Sequence, residues 1–408
     1  MMDVQRIRKQ FPILSRTVHG GRPLIYLDSA ASMQKPIAVI EATREYYQHV
    51  HANVHRGVHA LSQQATDAFE AARKQVQHFL NAPSERQIIW TSGATDAINL
   101  IAQSWGRAHI DAGDVLLVTR MDHHANLVPW QMLAAEKRAE LSVVEVTDQG
   151  ELDAADFERK LQNPKVKLVA FNHVSNTLGT INDVGRWVKA AQNIGAISVV
   201  DGAQGVPHQR VDLQALDPDF YVFSGHKAYG PTGIGVLYGK TELLESMPPW
   251  RGGGEMIADV NLDQGTTYAE LPFKFEAGTP PIAQAVGLGV ALKWMTDIGL
   301  DAISAHEEML GAHARKLLRD IPGIRFVGEA QDVTGVVSFV VDGVHSYDLG
   351  TLLDGMGIAV RTGQHCTQPL LDHWGLRGTV RASFAAYNTL SEADALAAGV
   401  HRAVNMLK

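Results

Sequence analysis

Short apolar segments alternate with amphipathic segments through the middle of the chain, between residues 88 and 239. Strand-length runs such as V-L-L-V-T, V-K-L-V-A-F-N and I-S-V-V-D are separated by segments of helical periodicity, of which Val184 to Asn193 is one. This repetition predicts a mainly parallel sheet with helices on both faces. Beyond the glycine-rich loop W-R-G-G-G-E the order is lost, which predicts a smaller α+β domain that begins between Ile282 and Gly299.

Polar residues stand at or just after the carboxyl ends of the predicted strands. They are His123, Asn176, Asp201, Gln204 and Lys227. Open α/β sheets bind ligands at the carboxyl ends of their strands. One polar residue could stand there by coincidence, but five together predict a ligand site along one rim of the sheet.

The loop S-G-H-K-A-Y-G-P-T-G-I-G joins two apolar strands and contains Lys227. Burial disfavours the ammonium form of lysine, which makes a lysine in such a loop a candidate amine nucleophile. The alternative is a solvated loop lysine. Ser224 and His226 can donate hydrogen bonds to an anion beside Lys227, and a lysine Schiff base next to a phosphate is the arrangement that pyridoxal phosphate requires.

A second candidate phosphate contact follows the strand I-I-W-T, where S-G-A-T precedes an apolar helical pattern. The free N–H groups and the positive dipole end of a helix N-terminus bind phosphate. Ser92 or Thr95 could equally be a plain N-cap. The segment lacks the G-x-x-x-x-G-K pattern of a nucleotide P-loop.

Composition restricts the class of function. A net charge of -8 gives no support to binding of nucleic acid or of an anionic membrane, and 45% hydrophobic residues are ordinary for a globular enzyme. No apolar run reaches the length of a membrane span and the first residues lack a signal peptide's apolar core, so we expect the cytoplasm.

Cys366 is the only cysteine, which excludes an intramolecular disulfide. A lone cysteine is most often a small buried hydrophobe. The surrounding T-G-Q-H-C-T-Q-P predicts a loop instead, and nearby Arg361 would favour the thiolate.

A histidine-rich stretch offers a metal site as an alternative. It contains His49, His51, His55 and His59, three of which could share a helical face. Gly57 interrupts the stretch and no cysteine or carboxylate accompanies it, so we predict no metal and keep a zinc hydrolase only as an alternative.

Six motifs, taken in chain order, resemble one family. They are D-H-H-A-N-L-V-P-W, H-V-S-N-T-L-G, V-V-D-G-A-Q-G, S-G-H-K-A-Y-G-P-T-G-I-G, E-A-G-T-P and R-T-G-Q-H-C-T-Q-P. The chain resembles the group II cysteine desulfurases of the SUF and CSD type, which include selenocysteine lyases, within the class V aminotransferases of pyridoxal phosphate fold type I. The resemblance covers nearly the whole chain.

The resemblance implies an α/β fold of that type in three parts. A large cofactor-binding domain at 21–285 would hold a mainly parallel seven-stranded sheet between helices. A smaller α+β domain at 286–408 would carry the cysteine loop. The N-terminal segment, 1–20, would pack with the small domain.

The resemblance also implies how pyridoxal 5′-phosphate is held. Lys227 would bind it as a Schiff base and then move a proton, Asp201 would pair with the ring nitrogen, and His123 would stack on the ring and act as an acid or base. Gln204 would hydrogen-bond the ring hydroxyl, with Asn176 close by. The phosphate contacts would be the backbone at Ala94, the side chains of Thr95, Ser224 and His226, and the partner subunit's Thr279.

Substrate contacts follow from the same resemblance. Arg381 would clamp the substrate carboxylate with both arms of its guanidinium, beside Arg361 and Asn176. Cys366 would be the nucleophile, whose thiolate attacks the substrate sulfur and leaves alanine and an enzyme persulfide. Because no second cysteine can resolve the persulfide, a sulfur-acceptor protein is implied.

The implied function is conversion of L-cysteine to L-alanine by a homodimer, with sulfur passed to an acceptor of the SUF or CSD type for iron-sulfur cluster assembly. Alternatives on the same fold are selenocysteine lyase, cysteine sulfinate desulfination and transamination. A non-catalytic scaffold is the alternative of another class. The chain departs from the common R-G-T-T-E at Ser92-Gly93-Ala94-Thr95-Asp96, and at Gln364 and Thr367 beside the cysteine.

Overall fold

A computed structural model describes residues 2–408. Within this range the central sheet has seven strands, which are β1 Ile88–Thr91, β2 Val115–Thr119, β3 Glu140–Val144, β4 Val166–Asn172, β5 Ile197–Asp201, β6 Phe220–Ser224 and β7 Gly235–Gly239. Their order across the sheet is β1-β7-β6-β5-β4-β2-β3.

The sheet is parallel except for one strand. Strands β2 to β6 pair in parallel because helices return the chain between them, as Val184–Asn193 does between β4 and β5. Strand β7 is antiparallel to β6 and to β1, since a loop without a crossover helix joins β6 to β7. The predicted mainly parallel sheet is therefore confirmed.

Both faces of the sheet are covered, which explains its continuously apolar strands. In β2, Val115 and Leu117 belong to the hydrophobic cluster on one face, whereas Leu116 and Val118 belong to the cluster on the other. Strands buried on both faces have uninterrupted apolar sequences rather than alternating ones.

The helices lie around and between the sheets. They are Val4–Arg8, Ile37–Glu45, Ala60–Phe79, Ala94–Ile101, Arg107–His109, Val128–Lys137, Ala154–Leu161, Val184–Asn193, Gly205–His208, Leu213–Leu216, Thr241–Ser246, Ile282–Ile298, Leu300–Arg319, Ser346–Gly355, Gln368–His373 and Leu390–Leu407. None of those described in residues 2–408 combines the length and the apolar character that crossing a membrane requires.

A second, antiparallel sheet forms in the C-terminal part of the chain. In the described residues its strands lie in the order Ile324–Phe326, Val336–Val341, Thr379–Ser383 and Arg361–Gly363. It has a hydrophobic cluster of its own, to which the helices Leu300–Arg319, Ser346–Gly355 and Leu390–Leu407 contribute.

Shorter strands complete the fold. Thr17–Val18 pairs with Arg22–Pro23, and Ile25–Tyr26 pairs with Ile358–Ala359 in the C-terminal part. Ile257–Asn261 and Gly265–Tyr268 form a hairpin whose residues are nearly all exposed.

In the N-terminal segment, Val4, Ile7 and Phe11 stand at helical spacing, which predicts one short helix to about Thr17. The helix instead ends at Arg8, ahead of Pro12, which opens a separate short turn. The Phe11 ring packs against Tyr387, with ring centroids 4.7 Å apart, and against Trp294 at 5.5 Å.

The division into domains at 285/286 stays a prediction. That boundary falls inside the helix Ile282–Ile298, which packs along Ala60–Phe79 beside the central sheet. The chain passes directly from this helix into Leu300–Arg319, whose residues contribute to the cluster of the second sheet.

Candidate active site

A cavity of about 240 Å³ lies among residues that follow strands of the central sheet, residues that follow the short strand Ile25–Tyr26, and residues of the second sheet and its cysteine loop. Most of the residues predicted from the sequence line it. They are Ala94, Thr95, His123, Asn176, Asp201, Ser224, His226, Lys227, Arg361, Cys366 and Arg381. The structure therefore brings together residues that lie as far apart in the chain as 94 and 381.

Lys227 ends a single helical turn, Gly225–Lys227, directly after β6. This turn is tightly packed: a Cβ added at Gly225 would lie 2.8 Å from Cγ2 of Ile234. Burial lowers the pKa of the Lys227 amine, although the carboxylate of Asp201 acts in the opposite direction. A lowered pKa increases the fraction of the lysine that is present as the free amine at a given pH. The free amine is the nucleophilic form.

Asp201 is the last residue of β5 and is buried. Its Oδ1 accepts a hydrogen bond of 2.9 Å from the Ala203 N–H. Burial raises the pKa of this carboxyl, and the nearby Lys227 opposes the rise. A buried carboxylate at a cavity wall is stabilised by a cationic partner.

The turn between β1 and the helix Ala94–Ile101 forms the part of the cavity expected to hold phosphate. Gly93 has φ +154°, and a Cβ there would lie 3.3 Å from the Ser224 hydroxyl. The Ala94 N–H donates to the Ser224 Oγ at 2.8 Å. Because Oγ accepts this bond, the Ser224 hydroxyl proton is free to donate to an anion in the cavity.

His123 begins the turn that follows β2. Its Nδ1 accepts a hydrogen bond of 3.0 Å from the Ala125 N–H, so a neutral ring carries its proton on Nε2. Burial, with Lys227 as the next contribution, lowers the pKa of His123 to about 3. The ring is therefore neutral at physiological pH and can donate from Nε2.

Arg361 and Arg381 lie opposite each other on paired antiparallel strands, and both line the cavity. Arg381 is only 1% exposed. Its two terminal nitrogens each donate at 2.9 Å, one to the Asp28 carboxylate and one to the Asn176 carbonyl, while its buried Nε has no hydrogen-bond partner among the described residues. Like charges directly across strands are unfavourable, so the pair favours binding of an anion.

Cys366 lies in a loop between the strand Arg361–Gly363 and the helix Gln368–His373, as the sequence predicted. His365 and Cys366 have φ of +52° and +59°. Such backbone costs roughly 1–3 kcal/mol for a residue other than glycine, so surrounding contacts must hold it. One such contact is the Asn176 side-chain amide, which donates to the His365 carbonyl at 2.8 Å.

These features can be compared with known proteins. The family model described as "Aminotransferase class-V" matches residues 25–396. This chain belongs to the class-V aminotransferase family. A probable cysteine desulfurase of Vibrio cholerae is 51% identical to this family member over 407 residues, which is 100% of both chains.

Two solved structures of cysteine desulfurases are similar to this chain over its whole length. The crystal structure of the cysteine desulfurase CsdA, in an S-sulfonic acid form, from Escherichia coli has a TM-score of 0.93 and 44% identity and covers 100% of both chains. The apo cysteine desulfurase of Thermococcus onnurineus has a TM-score of 0.92 and 39% identity, covering 100% of this chain and 99% of its own. The resemblance and the fold class predicted from the motifs are confirmed.

Two predicted site residues of this class-V chain lie outside the cavity lining. Gln204 is buried and its Nε2 donates to the Ala30 carbonyl at 2.7 Å. Thr279 is exposed on the segment E-A-G-T-P. The roles assigned to these two side chains stay predictions.

Other residues of the site were not predicted. Asp28 pairs with Arg381, and Ala30, Ala31, Ala125, Ala203 and His365 also line the cavity. The small side chains of Ser29 to Ser32, which follow the apolar run L-I-Y-L, indicate room for a ligand and tight core packing equally well, so they gave Ala30 and Ala31 no specific signal. The sequence around Asp28 gave no sign of its role, because its partner Arg381 is 353 positions away along the chain.

The histidines between residues 49 and 59 do not form one site, because three of them have separate partners. His49 pairs with Glu45, His55 pairs with Glu70, and Nδ1 of His59 accepts from the Ser62 N–H. No group of three or more metal-ligating side chains that could hold an ion occurs in residues 2–408.

Proposed function

We propose that this chain is a pyridoxal-phosphate-dependent cysteine desulfurase, which converts L-cysteine to L-alanine and holds the removed sulfur as a persulfide on Cys366. One observation carries the proposal: the Lys227 amine, the Cys366 side chain and two arginines line the same cavity. An amine nucleophile, a thiol and a carboxylate-binding pair are the groups that this reaction needs. The named relatives support the same activity.

The residues present fit pyridoxal 5′-phosphate. Lys227 offers an amine of lowered pKa for the covalent link, and the buried Asp201 carboxylate suits the protonated ring nitrogen. The free hydroxyl proton of Ser224, with Thr95 and His226 beside it, suits the phosphate. When bound, the cofactor supplies an electron sink that stabilises negative charge on a substrate carbon.

The two arginines bind and orient the amino acid. Arg381 is held by Asp28 and the Asn176 carbonyl, which fixes its guanidinium plane before substrate arrives. Its unpartnered Nε and the neighbouring Arg361 supply charge-assisted hydrogen bonds for the substrate carboxylate. This preorganisation reduces the entropy cost of binding.

Cys366 then carries out the sulfur step. Its thiolate attacks the substrate sulfur, an S–S bond forms, and the C–S bond of the substrate breaks. The electron pair of the broken bond stays with carbon and takes a proton, which yields alanine. Lys227 and the Nε2–H of neutral His123 are the cavity groups able to move that proton.

The working assembly is a homodimer that hands its sulfur to an acceptor protein. The exposed hairpin supports an interface between copies, because Val260 is 60% and Leu262 101% exposed at its tip. The exposed Thr279 is available to the partner subunit in the way the family resemblance implies. A single cysteine cannot resolve its own persulfide, which supports an acceptor; the use of the sulfur for iron-sulfur clusters, the acceptor type and the cytoplasmic location stay predictions.

Paired variants test the function. Cys366→Ala keeps the amine and should retain the visible band of the bound cofactor but form no alanine from L-cysteine. Lys227→Ala should lose the covalent link and the activity together. Full alanine formation by Cys366→Ala would overturn the role of the thiol, and formation of a keto acid instead of alanine by the wild type would favour transamination.

A further inference from the structure

The strained pair His365 and Cys366 is held at both of its carbonyl groups by the central sheet's loops. The Asn176 side-chain amide donates a hydrogen bond to the His365 carbonyl, and the His124 backbone N–H donates to the Cys366 carbonyl at 2.8 Å. Two left-handed residues in succession persist only where contacts of this kind outweigh their conformational cost.

His124 makes a second contact on the other side of the cysteine. Its ring Nε2 accepts a hydrogen bond of 3.1 Å from the Gln368 N–H, the first N–H of the helix Gln368–His373. One residue therefore holds the chain both at Cys366 and two residues beyond it. A neutral ring that accepts at Nε2 carries its proton on Nδ1.

We propose that His124 is a positioning residue for the Cys366 thiol, whose ring contact with Gln368 keeps the nucleophile loop docked at the cavity. The inference rests on the proposed function, in which Cys366 is the nucleophile. His124 itself is outside the cavity lining, and its neighbour His123 is the one that faces the cavity. The two adjacent histidines thus have separate tasks, one toward the cavity and one toward the loop.

Three substitutions separate the ring contact from the backbone contact, which every variant retains. His124→Ala removes the acceptor, and His124→Asn is polar but too short to reach the Gln368 N–H. His124→Gln places a side-chain oxygen at about the reach of Nε2 and can still accept. His401→Ala, an exposed histidine on the last helix, is the matched control.

The first readout is the rate at which iodoacetamide alkylates Cys366 in the cofactor-loaded protein, measured by mass spectrometry. Loss of one hydrogen bond should release the loop and raise the alkylation rate about threefold to tenfold in His124→Ala and His124→Asn. His124→Gln, which can still accept the bond, should be alkylated at close to the wild-type rate. The second readout is alanine formation, where kcat should fall by a similar factor while KM, set by the arginines, changes little.

The outcomes decide the inference independently of the function. Alkylation and kcat of His124→Ala or His124→Asn equal to those of the control would overturn it, as would His124→Gln behaving like His124→Ala. If His124→Ala fails to fold, the comparison of His124→Asn with His124→Gln still tests the inference. A wild type that forms no alanine would overturn the proposed function, while the alkylation rates would still report whether His124 docks the loop.

Discussion

Arg361 and Arg381 show how single residues define this site. They face each other across two strands, and the Asp28 carboxylate forms an ion pair with Arg381. Two guanidinium groups at a cavity wall leave a net positive charge that an amino acid carboxylate neutralises. Both arginines were predicted from the sequence, whereas the orientation of Arg381 by Asp28 depends on tertiary pairing and could not be.

Arg381→Lys should weaken substrate binding. A lysine keeps the charge but loses the planar fork that contacts Asp28, the Asn176 carbonyl and a ligand together. We expect KM for L-cysteine to rise roughly tenfold or more, in line with the loss of one or two charge-assisted hydrogen bonds. Steady-state alanine assays measure this, with the exposed Arg319→Lys as control; an unchanged KM would contradict the assignment.

His173 predicts a pH dependence of stability. It is buried against the Tyr221 hydroxyl at 2.9 Å, and burial lowers its pKa from 6.5 to about 4. Between these two values the unfolded chain binds a proton that the folded chain does not, so the free energy of unfolding falls as the pH falls from about 6.5 toward 4.

Glutamine has no titratable ring. His173→Gln should therefore reduce the slope of the free energy of unfolding against pH by up to about 1.4 kcal/mol per pH unit between pH 4 and 6.5. Thermal unfolding at pH 7, 6 and 5 would show it as a smaller spread of Tm than in the wild type. His123 and His226, whose pKa values burial also lowers, would retain part of the slope. An undiminished spread would mean that His173 is charged or partnered differently in the folded state.

At the scale of elements, periodicity located most strands and helices because each buries an apolar face. Val184–Asn193 has the predicted limits, whereas the apolar run from Leu141 to Val146, which predicts a strand near these residues, forms one from Glu140 to Val144. The loop around Cys366 was predicted from its turn residues. Its docking on His124 was not, because 242 positions separate the two residues in the chain.

The segment that carries Thr279 is anchored by a buried ion pair. Glu276 accepts from both terminal nitrogens of Arg73, at 2.7 and 3.0 Å, and from the Trp90 N–H of β1 at 2.7 Å. Arg73 is 1% exposed, so it depends on this carboxylate together with that of Glu70.

Glu276→Gln should lower the free energy of unfolding by about 3 kcal/mol, because it leaves a buried guanidinium without one of its partners. Denaturant unfolding of the cofactor-loaded protein measures the loss. Asp297→Asn, at an exposed pair with Lys293, is the matched control and should change stability by less than about 0.5 kcal/mol. Equal effects of the two substitutions would contradict a structural role for Glu276.

At the scale of the whole molecule, the site joins three distant parts of the chain. Ala30 follows the short strand Ile25–Tyr26, Lys227 follows β6 of the central sheet, and Cys366 comes from the C-terminal part. The class of fold could be predicted because strand and helix alternate, whereas the domain boundary predicted at 285/286 lies within one continuous helix and stays a prediction.

Assembly is the prediction that belongs to this scale. We expect light scattering to give a mass of twice the 44.4 kDa chain. Leu262→Asp, at the exposed hairpin tip, should shift the population toward monomer because it places a charge where an apolar contact is proposed. The exposed Met406→Asp is the control, and a wild type that is monomeric at micromolar concentration would contradict the dimer.

The most direct test of the central claim is the mass of the peptide that contains Cys366 after the cofactor-loaded protein meets L-cysteine without any acceptor. The account predicts that this peptide gains the mass of one sulfur atom and that alanine appears in equal amount. An unmodified Cys366 alongside full alanine formation would contradict it.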